Sequence, residues 1–196
     1  RMVHLRKMGL KILMDADQII FLSESYRDFV LEKYVPEMVR ESFLTKSHII
    51  PNGIDKFWFD HINKPKEMKE NSEIKLLQVG VVTKNKNVET TIKVTELLNE
   101  RGYKAKLDVV GKIKDQKVFD IIKNSKHVRY LGFKSKEDLI QIYQENDIFI
   151  LPSVNETFGL VYAEAMSQGL PVIYTRGQGF DQQFEEGMVG YSVPHD

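Results

Sequence analysis

From Glu73 to the end of the chain, short apolar runs alternate with helical patterns. The runs are IKLLQVG, KAKLDVVG, VRYLG, DIFILP, PVIYT and VGYSV. The helical segments run from Asn87 to Arg101, stopped by Gly102, then from about Asp115 to Asn124, then from Ser135, and then from about Thr157 to Gln168. DIFILP and PVIYT are short and continuously apolar, as strands covered on both faces are. Strands that alternate with helices leave each strand parallel to the next. The pattern therefore restricts this part of the chain to an α/β fold: a doubly wound parallel sheet with helices on both faces.

Ahead of it the chain is less regular. Leu5, Met8, Ile12 and Leu13 fall at helical spacing among basic residues, an amphipathic pattern that suits an ordinary surface helix or one that lies on a membrane. QIIFLS from Gln18 to Ser23 reads as a strand, Ser25 to Tyr34 as a helix with Tyr26, Phe29 and Val30 inward, and His48 to Ile50 as a strand. PNGID then supplies a tight turn. Lys56 to Asn71 carries Phe57, Trp58 and Phe59 ahead of the charged run KPKEMKEN, which has no apolar period and reads as a linker whose aromatics pack between domains. The sequence begins at Arg1 inside a helical pattern and so reads as cut from a longer chain.

The segment NETFGLVYAEAMSQG, from Asn155 to Gly169, holds Glu156 and Glu164 in otherwise apolar company. The expected helix puts Glu156 at its mouth and Glu164 two turns along, with almost no polar face. A half-buried carboxylate needs hydrogen-bond donors. For Glu164 these are either the hydroxyls of a ligand or an Arg or Lys on a neighbouring helix. The helix start offers free N–H groups at Phe158, Gly159 and Leu160 to an anion, and Gly159 lets a ligand approach the backbone. Strand-to-helix mouths are where open α/β sheets bind ligands.

Other features bound the function. The 196 residues carry a formal net charge of zero, which argues against nonspecific nucleic-acid binding and for a small-molecule partner. There is no cysteine, so disulfides and thiolate metal sites are excluded. The five histidines, at positions 4, 48, 61, 127 and 195, have no ligand spacing, and no metal is expected. No G-x-G-x-x-G follows a strand and no G-x-x-x-x-G-K-[ST] occurs, against a dinucleotide oxidoreductase and a P-loop NTPase. No apolar run approaches the ~20 residues that span a bilayer, and no signal-peptide pattern is present. Lys84 and Lys86, in the turn after LLQVG, suit either a diphosphate or a solvated turn. Gly132 and Phe133, after VRYL, and more weakly Gly111 and Lys112, sit at strand C-terminal ends.

The E-x7-E spacing of Glu156 and Glu164, the TFGL between them and the A-x-x-x-G-x-P-V-I that follows closely resemble the donor-site segment of GT-B glycosyltransferases of family 4. Matching stretches lie in the same order along the chain: ADQIIFLSE at Ala16, IIPNGID at Ile49, LLQVGVVTKNKN at Leu76, LDVVGK at Leu107 and VRYLGF at Val128. The resemblance covers nearly the whole chain and implies residues 1–55 as a remnant of the N-terminal acceptor domain with the hinge, 56–72 as a linker, and 73–196 as the C-terminal nucleotide-sugar-binding domain, cut short at its end. It implies that Glu156 is catalytic and contacts the transferred sugar. Glu164 then holds the ribose hydroxyls, the Thr157, Phe158, Gly159 and Leu160 mouth meets sugar and phosphates, Lys84 and Lys86 hold the diphosphate, and main-chain groups at Gly132 and Phe133 read the base. The sequence departs from the common pattern at Val81, where relatives often carry a second phosphate-binding Arg, and at Asn87, where many have Gly. Lys84 substitutes for that Arg.

The implied activity is retaining transfer, without cofactor or metal, from a nucleoside diphosphate sugar to a sugar or lipid-linked acceptor in polysaccharide or glycolipid assembly. The implied place is the cytoplasm, at the inner face of the membrane. This chain by itself is expected to bind donor weakly and transfer nothing. A noncatalytic nucleotide-sugar-binding module and a GT-B sugar-nucleotide epimerase are the other readings.

Overall fold

The computed structural model describes residues 2–65, 67 and 72–195, with side chains from residue 7 onward. Lys66 and residues 68–71 of the charged run, and the side chains of His4 and Leu5, lie outside the described residues. Six strands form one sheet: β3 (Ile74–Val79), β4 (Ala105–Val110), β5 (Val128–Gly132), β6 (Ile148–Leu151), β7 (Val172–Thr175) and β8 (Gly190–Val193). Their order is β5-β4-β3-β6-β7-β8, and every neighbouring pair is parallel. Counted from β3, the winding runs outward one way through β4 and β5, then reverses and crosses to β6. That reversal between β3 and β6 is the topological switch point, the place where a doubly wound sheet opens a crevice at its C-terminal edge.

Side chains that alternate along each strand feed two cores. Leu77, Val79, Phe149, Leu151, Val172 and Tyr174 point to one face, where α7 (Lys136–Glu145) and α8 (Leu160–Ser167) bury Leu139, Ile142, Tyr143, Tyr162 and Ala165. Leu76, Leu107, Val109 and Ile150 point to the other, under Val88 and Ile92 of α5 (Val88–Glu100) and Val118 and Ile122 of α6 (Gln116–Asn124). The helix starts follow their caps. Asp115 accepts from the amides of Lys117 and Val118, and Ser135 accepts from that of Asp138. One buried charge interrupts the sheet: Asp108 on β4 takes two 2.8 Å hydrogen bonds from Arg129 on β5, a bidentate pair that offsets the cost of burying the carboxylate.

Ahead of the sheet, α1 (Met2–Asp15) leads to β1 (Ile19–Phe21), which pairs in parallel with β2 (Ser47–Ile49). Between them come α2 (Glu24–Tyr34), capped by Ser23, a 3-10 turn at Glu37–Val39 and α3 (Arg40–Thr45), the last two of which the apolar pattern does not announce. Ile19, Phe21, Val35 and Phe43 form a small core of their own. Among the described residues, no helix is long and apolar enough to cross a membrane.

Two expectations change here. The start of the stretch expected as a linker is helical: α4 (Lys56–Asp60) begins at an Asp55 cap. Its Trp58 does not lie between domains but is 1 % exposed in the core with Tyr143, ring to ring at 5.7 Å. Phe59, by contrast, is exposed. The glycines of RGQGF, from Arg176 to Phe180, read in the sequence as a flexible loop after PVIYT, but the segment is tied down, with Phe180 buried between Tyr162 and Tyr174 and ring centroids 4.6 and 5.0 Å away.

Candidate functional site

Because all six strands are parallel, the loops that leave their C-terminal ends collect at one edge. Every residue that the sequence offers for binding lies at one of those strand ends, in the loop that leaves it or on the helix that follows. The turn between β3 and α5 is a 3-10 turn, Lys84–Lys86, that ends at Asn87 in the left-handed region with φ 51°. Asn is among the few side chains that tolerate this conformation, which suits Asn87 to the place where the resembled pattern often carries Gly.

Three contacts stitch this turn to the loop after β6. Val154 N–H donates to the Asn85 carbonyl at 2.9 Å, Asn85 exchanges hydrogen bonds with the backbone of Asn155, and Asn87 Nδ2 donates to the Pro152 carbonyl at 3.0 Å. The two loops on either side of the switch point are therefore one unit. Within it Lys86 Nζ lies 2.6 Å from Glu156 Oε2, and both side chains are largely withdrawn from solvent. The Lys86 stem runs over Gly80, where a Cβ would stand in ordinary van der Waals contact with Lys86 Cε at 3.7 Å. Lys84 is exposed and makes no ion pair among the described residues, and Val81 is also exposed.

The loop after β6 corrects the expected helix. It stays irregular through Thr157 and Phe158 to Gly159, whose φ of 77° sets the start of α8 at Leu160. A Cβ at Gly159 would meet the Tyr162 ring at 2.4 Å. The open first-turn amides are consequently those of Leu160 and Val161, while Tyr162 N–H already bonds the Gly159 carbonyl at 3.0 Å. Phe158 is buried, and Thr157 and Leu160 are exposed. Glu156 precedes the helix and is held from the RGQGF loop, whose part in the site was not anticipated: its N–H donates to Gln178 Oε1 at 2.8 Å, and its carbonyl accepts from Gly179 N at 2.9 Å. Gly179 permits this approach, because a Cβ there would lie 1.7 Å from the Thr157 carbonyl oxygen. Ser25 on α2 in turn donates to the Gln178 carbonyl at 3.0 Å.

Glu164 falls in the first turn and a half of α8 rather than two turns along the helix, half-buried and facing α4 and α7. Burial pushes its carboxyl above the ordinary value, while the charge of Lys136 and the polar edges of Tyr143 and Trp58 pull it back. Among the described residues, neither the Tyr143 hydroxyl nor Trp58 Nε1 completes a hydrogen bond of ordinary geometry. The alternative of a direct Arg or Lys partner is not met among the described residues. Lys136 instead closes on Asp55, Nζ to Oδ2 at 2.5 Å.

At the far side of the edge Gly132, with φ 76°, ends β5, and Phe133 after it is 66 % exposed. The ammonium of Lys112, from the loop after β4, lies over the Phe133 ring, 4.6 Å from its centroid. Gly111 is packed against Gly80, where a Cβ would meet the Gly80 oxygen at 1.8 Å. Two cavities of about 540 and 420 Å³ open at the opposite edge instead, at the N-terminal ends of the strands. The first is walled mainly by apolar groups such as Met166, Leu170 and Met188, and the second by charges that largely pair with one another, including Arg129 with Asp108 and Lys106 with Glu73. Neither contains a predicted site residue. Among the described residues, no group of three or more His, Asp and Glu is placed to hold a metal ion.

Comparison with known proteins bears on the family and the fold. A glycosyltransferase of Methanocaldococcus jannaschii, itself uncharacterized, is 32 % identical over 166 residues, which are 76 % of this chain and 42 % of that protein. Sucrose-phosphate synthase from Thermosynechococcus elongatus superposes with a TM-score of 0.76 at 22 % identity, over 97 % of this chain and 48 % of the other. Anabaena HepE, in complex with UDP and glucose, superposes with a TM-score of 0.67 at 16 % identity, over 96 % of this chain and 53 % of the other. The chain thus spans about half the length of these relatives and shares the GT-B fold. The profile of the family described as glycosyl transferases group 1 matches residues 60–196, and this chain belongs to that family.

Proposed function

We propose that this chain is the donor-binding part of a retaining glycosyltransferase that moves a sugar from a nucleoside diphosphate to a sugar or lipid-linked acceptor. Residues 73–196 bind the donor, and residues 1–55 belong to the acceptor side. The observation that carries the reading is the junction at the switch point, where Lys86 and Glu156, from the loops after β3 and β6, converge at 2.6 Å beside the start of α8. When the bond between the sugar and its diphosphate breaks, negative charge grows on the leaving group. Fixed donors aimed at that charge lower the barrier.

Lys86, with Lys84 at the rim and the Leu160 and Val161 amides, supplies such donors, and the reading assigns no part to a metal. Glu156 orients the sugar, and the half-buried Glu164 takes up ribose hydroxyls. Phe133 and Gly132 line the base. HepE holds UDP and glucose, which makes uridine diphosphate sugars the first donors to try. The transfer is assigned to the cytoplasmic side, at the inner face of the membrane. Ligand-observed NMR with a panel of nucleotide sugars tests the assignment. Saturation transfer to at least one donor, abolished by the matching nucleoside diphosphate, is expected, and the absence of binding across the panel would overturn it.

A further inference from the structure

We propose that Gln78 is a positioning residue that fixes Lys86 for the diphosphate, an inference that rests on the donor-binding reading above. Gln78 is the one polar side chain in the apolar centre of β3, IKLLQV, and is 2 % exposed. By strand alternation it shares the α5 side of the sheet with Leu76. Its Nε2 donates to the backbone carbonyl of Lys86 at 2.6 Å. That carbonyl lies just outside α5, whose own hydrogen-bond ladder begins one residue later, where Asn87 accepts from Thr90 and Thr91. The other end of the amide, Oε1, is buried with no hydrogen-bond partner among the described residues.

An amide half-satisfied in a doubly covered strand is costly, and an apolar side chain of the same length would fill the space without that cost. Packing therefore gives no reason for Gln at this position, whereas the Lys86 carbonyl does. With its backbone held from below by Gln78 and its stem lying over Gly80, Lys86 has few ways to place its ammonium other than toward Glu156, 2.6 Å away. A lysine whose torsions are already restricted loses less entropy when it grips a phosphate.

The test compares wild type with Gln78→Met by thermal melting and by titration with UDP, GDP and ADP and their parent nucleosides. The inference expects a melting temperature at or above that of wild type. It expects affinity for the bound diphosphate to fall about five- to tenfold, the size of one good hydrogen bond's influence, with nucleoside binding unchanged. In a Lys86→Ala background the same Gln78→Met change should have no further effect on the diphosphate, because the two act as one unit. Gln78→Asn, whose shorter amide cannot reach the carbonyl, serves as the second variant should Gln78→Met fail to fold. Unchanged diphosphate affinity, or equal losses for diphosphate and nucleoside, would overturn the role of Gln78 while leaving the donor-binding reading intact. Wild type that binds none of the diphosphates would overturn that reading itself, and this inference with it.

Discussion

Lys86 Nζ and Glu156 Oε2 lie 2.6 Å apart, yet the two residues sit 70 positions apart in the chain, on the two loops that flank the reversal of the sheet. Each is held by groups other than its partner: Gln78 bonds the Lys86 carbonyl, and Gln178 bonds the Glu156 amide. The pair sets an ammonium and a carboxylate side by side at the crevice. On the proposed reading, an incoming diphosphate draws the lysine and leaves the carboxylate for a sugar hydroxyl.

Lys86→Ala should therefore weaken a nucleoside diphosphate by about 1.5–3 kcal/mol, the range for hydrogen bonds to charged groups, and leave the nucleoside unaffected. The exposed Lys84 should show a smaller loss of the same kind in Lys84→Ala, and Val81→Arg should restore affinity in that background. Calorimetry checks all three. Equal losses for nucleoside and diphosphate in Lys86→Ala would reduce the lysine to part of a solvated turn.

Glu164 links stability to pH. Burial raises its carboxyl above 4.5 in the folded protein, against the opposing pull of Lys136, Tyr143 and Trp58. A raised folded pKa means that the fold favours the protonated acid: the contribution is fully present below about pH 4.5 and is lost as pH rises through the folded value. Glu164→Gln mimics the protonated acid. It should melt with wild type near pH 4 and above it at pH 8, while nucleotide affinity falls by about 1–3 kcal/mol for the lost charged acceptor. A variant that melts below wild type at pH 8 would mark the ionised carboxylate as a structural partner.

Trp58 ties α4 to the main core. Trp58→Ala should cost about 3–5 kcal/mol in urea unfolding, as large-to-small changes in a core do. A loss below about 1 kcal/mol would return this segment to the role of a linker.

Gly179 tests the clamp on Glu156. A Cβ at that position would lie 1.7 Å from the Thr157 oxygen, so Gly179→Ala must push the loop after β6 away from the Gln178 loop. Binding of a nucleotide sugar should suffer more than binding of the matching nucleoside diphosphate, because Glu156 is assigned to the sugar. Crystal structures or amide shifts of the variant would reveal the displacement directly.

The alternation of apolar runs and helical patterns was enough to read the strands and the parallel sheet, because burial on both faces leaves an unbroken apolar run such as IFIL. The order of the strands was not readable, since it depends on which way each crossover packs. The short α4 was missed because five residues hold barely more than one turn, too few to display a period, and the charged run after them suggested a linker. The start of α8 was misplaced because Thr157–Gly159 continues the composition of the helix while Gly159 breaks its geometry. The glycines of RGQGF suggested freedom, although Gly179 is there for close backbone approach and Phe180 fills the core. Gln78 did leave a signal, a lone amide in a covered strand, but its partner on a neighbouring turn can be seen only in three dimensions.

The most direct test of the donor-binding account is an amide chemical-shift map of the chain titrated with the nucleoside diphosphate that it binds most tightly. The account predicts that the largest shifts cluster at Gly80 to Asn87, Ser153 to Val161 and Gly132 to Phe133, and that Lys86→Ala removes most of them. Shifts centred instead on Asp147, Leu170 and Met188, at the opposite edge of the sheet, would contradict it.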